Sequence, residues 1–168
     1  REVAFTTMLG SAEKAKKLMK DVADFAAKTP FELPELTEAT KKLIAFGISS
    51  EEAIPTLQRL GDVASGLGIP LGELAEIYGK ARTQGTLYNE DLNQLAGRGI
   101  PIFEELAKVT GKNASEIKKM SSEGKIGFGE LEQAFANMTS QGGMFYGGME
   151  AQSKTFAGVM STMMDALS

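Results

Sequence analysis

Apolar residues recur at intervals of three and four along most of the chain, which is the spacing of one face of an amphipathic α-helix. Such segments run through residues 15–26, 36–44, 54–67, 71–81, 102–107, 117–120 and 131–138. No window alternates apolar and polar residues for long enough to predict a set of strands. The pattern therefore predicts an all-α fold, a compact bundle of about seven to nine short helices.

Capping residues and glycines mark the ends of these helices. A Ser or Asn followed three residues later by Glu is a capping box, and it occurs at residues 49–52 and 113–116. Ser11 is a further N-cap. Pro34 is well placed to open a helix, and Gly47 suits the left-handed position at the end of that helix. The predicted helices are therefore short and separated by tight breaks.

The segment 84–95 is echoed at residues 123–134. Both copies have the pattern Gly-x-[Leu/Ile]-x-x-x-[Asp/Glu]-Leu, with Gly85 and Leu87 in the first copy and Gly124 and Ile126 in the second. Glycine permits a positive φ where a helix ends, and the residue two places on favours extended backbone. We predict two helix-loop-helix units whose Gly-x-[Leu/Ile] segments lie within about 10 Å of each other as one tiny two-stranded pairing.

The echoed pattern overlaps the second half of an EF-hand calcium loop, which has Gly at position 6, an aliphatic residue at 8 and Glu at 12. Gly124, Ile126 and Glu130 match these positions. However, Lys119 and Ser121 stand at positions 1 and 3, where calcium needs carboxylate ligands. We interpret the units as metal-free packing devices and expect no metal site.

The composition disfavours several classes of function. The chain has no His, which is the commonest general base and zinc ligand, and no Cys. A net charge of −4 and a pI near 5.0 argue against nucleic acid as a primary ligand. No apolar run approaches the roughly 20 residues of a membrane-spanning helix. We expect no cofactor, no catalytic residue, no small-molecule substrate and no membrane insertion of this segment.

Two pairs of acidic residues raise an alternative function, namely an enzyme that uses a carboxylate. Glu51–Glu52 and Glu104–Glu105 each lie in the first turn of a predicted helix, where the helix dipole favours anions. Adjacent helical residues point about 100° apart, so neither pair is arranged like the two carboxylates of a glycosidase. The alternative is a peptidoglycan-cleaving enzyme that uses a lone acid such as Glu104. A buried acid facing an open cleft would count against a purely structural interpretation.

The C-terminal residues form a separate predicted helix after two glycine pairs. Apolar residues at coiled-coil spacing make one candidate partner-binding face, namely Met149, Phe156, Met160, Met163 and Leu167. Core filling is the simpler interpretation, and a helical adaptor that binds a partner helix is the alternative. We predict a helical domain over residues 1–148 and a helix over 149–168 that leads into a longer parent chain, because neither end has the look of a natural terminus.

Short sequence motifs follow one another in a characteristic order along nearly the whole chain. They are TPFELPEL (29–36), AFG (45–47), LGDVASG (60–66), ELAEIYG (73–79), DLNQL (91–95), GIPI (99–102), GKIGF (124–128), AFANMT (134–139), GGMF (142–145) and QSKT (152–155). In this order they resemble the conserved domain near the N-terminal part of tail tape measure proteins of long-tailed, siphovirus-type bacteriophages and prophages.

The resemblance implies a structural role. In that family a long, mostly helical polypeptide occupies the growing tail, its length sets where tube polymerisation stops, and it leaves the tail when DNA is ejected. The resemblance implies a module for tail length determination and tail assembly, located in the virion tail and in the host cytoplasm during assembly. Its implied partners are the tail tube protein, the tail assembly chaperone or other copies of itself. It implies no catalytic residues for this stretch.

Overall fold

Ten helices and one pair of very short strands form the part of the chain that the computed structural model describes, namely residues 2–167 with the side chains of 5–153 and 158–167. In chain order the elements are α1 (Glu2–Leu9), α2 (Ala12–Ala26), α3 (Leu33–Ala45), α4 (Ser50–Leu67), α5 (Leu71–Gln84), β1 (Thr86–Leu87), α6 (Asn89–Gly97), α7 (Ile102–Thr110), α8 (Ala114–Ser122), β2 (Ile126–Gly127), α9 (Phe128–Thr139) and α10 (Gly148–Leu167). The all-α class is confirmed. The helices outnumber the seven to nine predicted because glycine breaks leave several of only eight or nine residues.

Side-chain caps begin three of these helices at the predicted residues. The Ser11 Oγ accepts a hydrogen bond from the Lys14 N–H at 3.2 Å, and the Ser49 Oγ accepts one from the Glu52 N–H at 3.3 Å. At residues 113–116 both bonds of the capping box form, at 2.9 and 3.2 Å. Each cap satisfies a backbone N–H that has no partner within the helix, and so fixes where α2, α4 and α8 start.

One contiguous core is formed by side chains from α1 to α9 and by Phe145, which follows α9. In this core α3 packs against α5, α4 packs against α5 and α9, and α7 packs against α8 and α9. Its largest fully buried side chains come from eight of the twelve elements: Phe5, Leu18, Leu36, Leu43, Leu57, Leu60, Leu71, Leu74, Tyr78, Leu87, Leu92 and Phe135. Burial of this apolar surface is the main favourable contribution to folding.

The two echoed segments meet as predicted. β1 pairs antiparallel with β2, with Leu87 opposite Ile126, and both side chains are buried. The ladder is extended by a hydrogen bond of 2.9 Å from the Phe128 N–H to the Gly85 carbonyl. The buried Ser121 hydroxyl donates to the Leu87 carbonyl at 3.1 Å. The two helix-loop-helix units are therefore joined by the backbone hydrogen bonds of the strand pair and by the Ser121 hydroxyl.

The glycines of the two units have the predicted conformation. Gly85 and Gly124 end their helices with φ values of +77° and +70°, a region in which a side chain is strained. Ser121, which would be a calcium ligand in an EF-hand, uses its hydroxyl for the bond to Leu87. Among the described residues no group of three or more His, Cys, Asp or Glu side chains is placed to hold a metal ion. No helix in the described range is long and apolar enough to cross a membrane.

An aromatic cluster joins α5 to α9 within the core. The Tyr78 ring of α5 packs edge-on against Phe128 and Phe135 of α9, with centroid distances of 5.1 and 5.3 Å. Within the described structure no hydrogen bond of standard geometry reaches the buried Tyr78 hydroxyl, but the Arg59 side chain lies near enough to oppose part of its pKa shift. Burial, the largest influence on this group, raises the pKa of the Tyr78 phenol. The cluster therefore fastens α9 to α5 through ring contacts.

Candidate partner-binding helix and its attachment

Helix α10 is buried only at its beginning. Met149, in its first turn, is 7% exposed, whereas every described side chain from residue 158 to residue 167 is exposed. In that second half Met160, Met163 and Leu167 are 42%, 54% and 81% exposed. The apolar face of α10 is thus covered in the first turn of the helix and exposed to solvent over residues 158–167.

The structure separates the five residues of the predicted face. Met149 lies against α4 and belongs to the attachment, whereas Met160, Met163 and Leu167 lie on the exposed part. The side chain of Phe156 lies outside the described residues. The structure adds Val159 and Met164, which are 53% and 59% exposed and were missed because they flank the coiled-coil positions. A search for apolar residues beside those positions would have found them.

The exposed face is uncharged. At about 100° per residue, Met160, Met163 and Leu167 fall within an arc of about 60°. Asp165 supplies the charge in the described second half of α10, and it points to roughly the opposite side. The face therefore presents methionine and leucine side chains that adapt to a partner surface without a charge that needs neutralising.

Close packing of α4 against residues 145–149 depends on glycines. A Cβ added to Gly61 would lie 2.5 Å from the Met149 Sδ, and one added to Gly66 would lie 2.8 Å from the Phe145 Cδ1. A Cβ on Gly148 would collide with the Asp62 carbonyl oxygen. Because Gly61 and Gly66 have no side chains, the surface of α4 has a notch at these two residues. Phe145 and Met149 fill this notch.

Asp62 holds the start of α10. Its Oδ1 accepts a hydrogen bond of 3.0 Å from the Met149 N–H, and its side chain is buried. A carboxylate at a helix N-terminus satisfies a free N–H and is attracted by the helix dipole. Burial raises the pKa of Asp62, and the Met149 N–H opposes that shift without cancelling it. Sequence reasoning missed this role; the available signal was one carboxylate within the apolar run of α4.

Buried acids do lie beside clefts, contrary to the expectation for a purely structural chain. Asp62 borders clefts of about 350 and 460 Å³. Glu105, which is 8% exposed, borders one of about 520 Å³ with the exposed Glu104 on its rim. Each buried acid already has a structural partner: Asp62 binds the α10 backbone, and the Glu105 Oε2 lies 3.2 Å from the Lys108 Nζ. The buried acid of this cleft is therefore Glu105, not the Glu104 singled out in the sequence.

The fold and this site define a helical packing module that presents one apolar helix. The sequence profile of the family described as "Tape measure protein" matches residues 2–168. The chain therefore belongs to the tape measure protein family. This match confirms the resemblance that the order of its short motifs indicated.

Two curated relatives are similar to the chain. It is 31% identical over 149 residues to the "Mu-like prophage FluMu protein gp42" of Haemophilus influenzae, an alignment that covers 84% of this chain and 22% of that protein. It is 26% identical over 137 residues to the "Probable tape measure protein" of Escherichia phage Mu, covering 79% of this chain and 20% of that protein. The chain thus spans about a fifth of the length of these relatives. It has no significant match among solved structures.

Proposed function

We propose that this chain is a structural module of a phage tail tape measure protein and acts in tail length determination and tail assembly, with a part in DNA ejection. The observation that carries the proposal is the family match across residues 2–168. Supporting it, a relative named as a probable tape measure protein aligns over 79% of the chain. The module works in the virion tail and, during assembly, in the host cytoplasm, with tail proteins as its partners.

The module acts by packing rather than by catalysis. Its two buried acids beside clefts are held by a helix N-terminus and by a lysine, which leaves both in structural contacts. Residues 1–148 form the compact domain, and α10 is the helix through which this domain connects to the rest of the parent polypeptide. The greater length of the aligned relatives supports a longer parent polypeptide.

The exposed face of α10, defined by Met160, Met163 and Leu167, binds a second copy of this chain. Coiled-coil spacing supports a helical occupant, because such a face buries its apolar side chains between those of another helix. Charge does not oppose an identical occupant, because the face is uncharged and two copies meet there without repulsion. The tail tube protein and the tail assembly chaperone are the other occupants that an experiment must distinguish.

Deletion from a phage genome tests the assembly role. We expect in-frame removal of the codons for residues 2–148 to give shortened or unassembled tails in electron micrographs, because a structural part of the ruler is lost. Gly129→Ala is the control, since a Cβ there meets open space and tails should keep their form. Infectious tails of unchanged length and form after the deletion would contradict the proposal.

Solution mass tests the occupant of α10. The chain should exceed its monomer mass of 17.9 kDa in concentration-dependent light scattering. The triple variant Met160→Glu, Met163→Glu, Leu167→Glu should return it to that mass. The control Gly158→Glu, Ser161→Glu, Thr162→Glu adds the same charges to the opposite side and should still associate. A monomer at every concentration, or association only with added tube protein or chaperone, would contradict binding of a second copy.

The enzymatic alternative has a separate test, because Glu104 does stand on the rim of a cleft. A structural module should leave a peptidoglycan zymogram without clearing. Clearing by the chain that disappears in Glu104→Gln would contradict the proposal and establish the hydrolase.

A further inference from the structure

We propose that the cleft beside the start of α10 binds an arginine side chain of a partner polypeptide, with the second carboxylate oxygen of Asp62 as the anion that receives it. This cleft has a volume of about 460 Å³ and is lined by the end of α2, by α4 and α9, and by the start of α10. The site goes beyond the assembly role of the module, and it does not depend on what covers residues 158–167.

One oxygen of the Asp62 carboxylate has no hydrogen-bond partner. Oδ1 accepts the 3.0 Å bond from the Met149 N–H, whereas no donor among the described residues reaches Oδ2. The side chain is only 7% exposed, yet Oδ2 is not among the fully enclosed polar atoms that lack a partner. Since a carboxylate has acceptor sites on both oxygens, Oδ2 is left to accept a donor that enters the cleft.

The described residues supply no cation for this buried carboxylate. No Lys or Arg side chain among them lies within ion-pair distance of Asp62. Arg59 lines the neighbouring cleft of about 350 Å³, but its side chain lies near the Tyr78 hydroxyl. Buried charges in proteins are normally paired. The cation that burial of Asp62 calls for is therefore one that a partner can supply.

The other lining side chains suit a guanidinium group. The rings of Phe25 and Tyr146 line the cleft, and Tyr146 is 61% exposed, so its ring is available to a planar cation. Thr29, Gln58 and Thr139 add side-chain oxygens that can accept hydrogen bonds. A guanidinium carries five N–H donors in a plane, whereas an ammonium is a compact group with three. The lining therefore favours arginine over lysine.

The charge of the lining attracts a cation and contains one competitor. Asp62 and Glu150 are the carboxylates of this cleft, and the exposed Lys28 is its positively charged side chain. Two negative charges and one positive charge leave a net charge of −1, which draws in a positively charged group. Lys28 opposes a second cation in the same cleft, so its removal should strengthen binding.

A peptide titration of the intact 168-residue chain, followed through the NMR signals of its backbone amides, tests the site. With acetyl-Gly-Arg-Gly-amide, amides of residues 25–29 and 146–150 should shift saturably, with a dissociation constant on the order of 1 mM. The same peptide with citrulline in place of arginine has nearly the same shape without the charge. It should bind about tenfold more weakly or worse. The peptide with lysine should also bind more weakly than the arginine peptide.

Variants of the chain assign the binding to named side chains. Asp62→Asn keeps the oxygen that accepts the Met149 N–H and removes the charge, so the fold should remain and binding should fall about tenfold or more. Tyr146→Ala should weaken binding about two- to fivefold. Its matched control is Met144→Ala, which is 62% exposed, lines the other cleft and should leave binding unchanged. Lys28→Ala should bind the arginine peptide more tightly than the wild type.

The outcomes that contradict the site are equally specific. No saturable shift, shifts confined to other parts of the surface, equal binding of the arginine and citrulline peptides, or unchanged binding in Asp62→Asn would overturn the proposal. Equal binding of the lysine peptide would overturn the assignment to arginine. None of these results bears on tail assembly, which the in-frame deletion tests separately.

Discussion

Helices α9 and α10 have similar apolar spacing but opposite surroundings. Leu131, Phe135 and Met138 of α9 are fully buried by α4, α5 and α7. Met160 and Met163 of α10 are three residues apart, as Phe135 and Met138 are, but they are about half exposed. The comparison shows that the spacing of apolar residues determines which side of a helix avoids water, and that the neighbouring elements determine whether that side is covered.

The two helices also differ in how they begin. Helix α9 follows β2 directly and is held from the start by the strand pairing and the aromatic cluster around Tyr78. Helix α10 follows a glycine-rich turn and is held by the Asp62 cap and the α4 notch. The covered helix is thus part of the contiguous core, whereas α10 packs against α4 and leaves its second half exposed.

Truncating one apolar residue in each helix should give the largest contrast. Phe135→Ala should lower the free energy of unfolding by about 3–5 kcal/mol, because it leaves a cavity in a fully packed site. Met163→Ala should change that free energy by less than about 0.5 kcal/mol. Urea denaturation followed by circular dichroism, at a concentration where the chain is monomeric, measures both. Similar losses in the two variants would mean that α10 is covered in solution.

Breaking the bond between the two echoed units should have an intermediate effect. Ser121→Ala removes the hydroxyl that bonds the Leu87 carbonyl, and we expect a loss of about 1–3 kcal/mol because that carbonyl is buried. Ser115→Ala on the exposed side of the same helix should be within about 0.5 kcal/mol of the wild type. Equal effects of the two changes would show that the strand pairing does not depend on this bond.

The pH dependence of stability should reveal the cost of burying Asp62. Because its pKa is raised in the folded chain, its stabilising contribution is complete below the unfolded pKa and is lost as pH rises through the folded pKa. Asp62→Asn should therefore match the wild type in acid and become the more stable of the two towards neutral pH. The same clefts are lined by Arg59, Lys28 and Glu150. Variants that remove each of these charges should therefore be measured alongside Asp62→Asn. A constant difference at all pH values would contradict the raised pKa.

The smallest expected effect concerns the hydroxyl in the aromatic cluster. Tyr78→Phe keeps both ring contacts and removes a buried oxygen that lacks a hydrogen-bond partner in the described structure. We expect the free energy of unfolding to rise by up to about 1 kcal/mol. A fall of more than that amount in urea denaturation would indicate that the nearby Arg59 side chain satisfies the hydroxyl in solution.

Much of this fold is determined by the sequence alone. Helix positions follow from apolar spacing, and the starts of α2, α4 and α8 follow from Ser11, Ser49 and Asn113, because a cap acts within one turn of the chain. The pairing of β1 with β2 was predictable from the echoed glycine pattern. The family was recognisable from the order of its short sequence motifs. These features need only neighbouring residues or a direct comparison of two segments.

Only the tertiary structure decided what the apolar faces contact. Met149 and Met163 look equivalent in the sequence, yet one fills the α4 notch and the other lies in solvent. Asp62 looks like any acidic residue, and its role appears only when Met149, 87 positions away, brings a free N–H to it. The physical reason is that the sequence pattern records the preference of a side chain for an apolar or polar environment, whereas its partner depends on which distant surface the fold brings into contact.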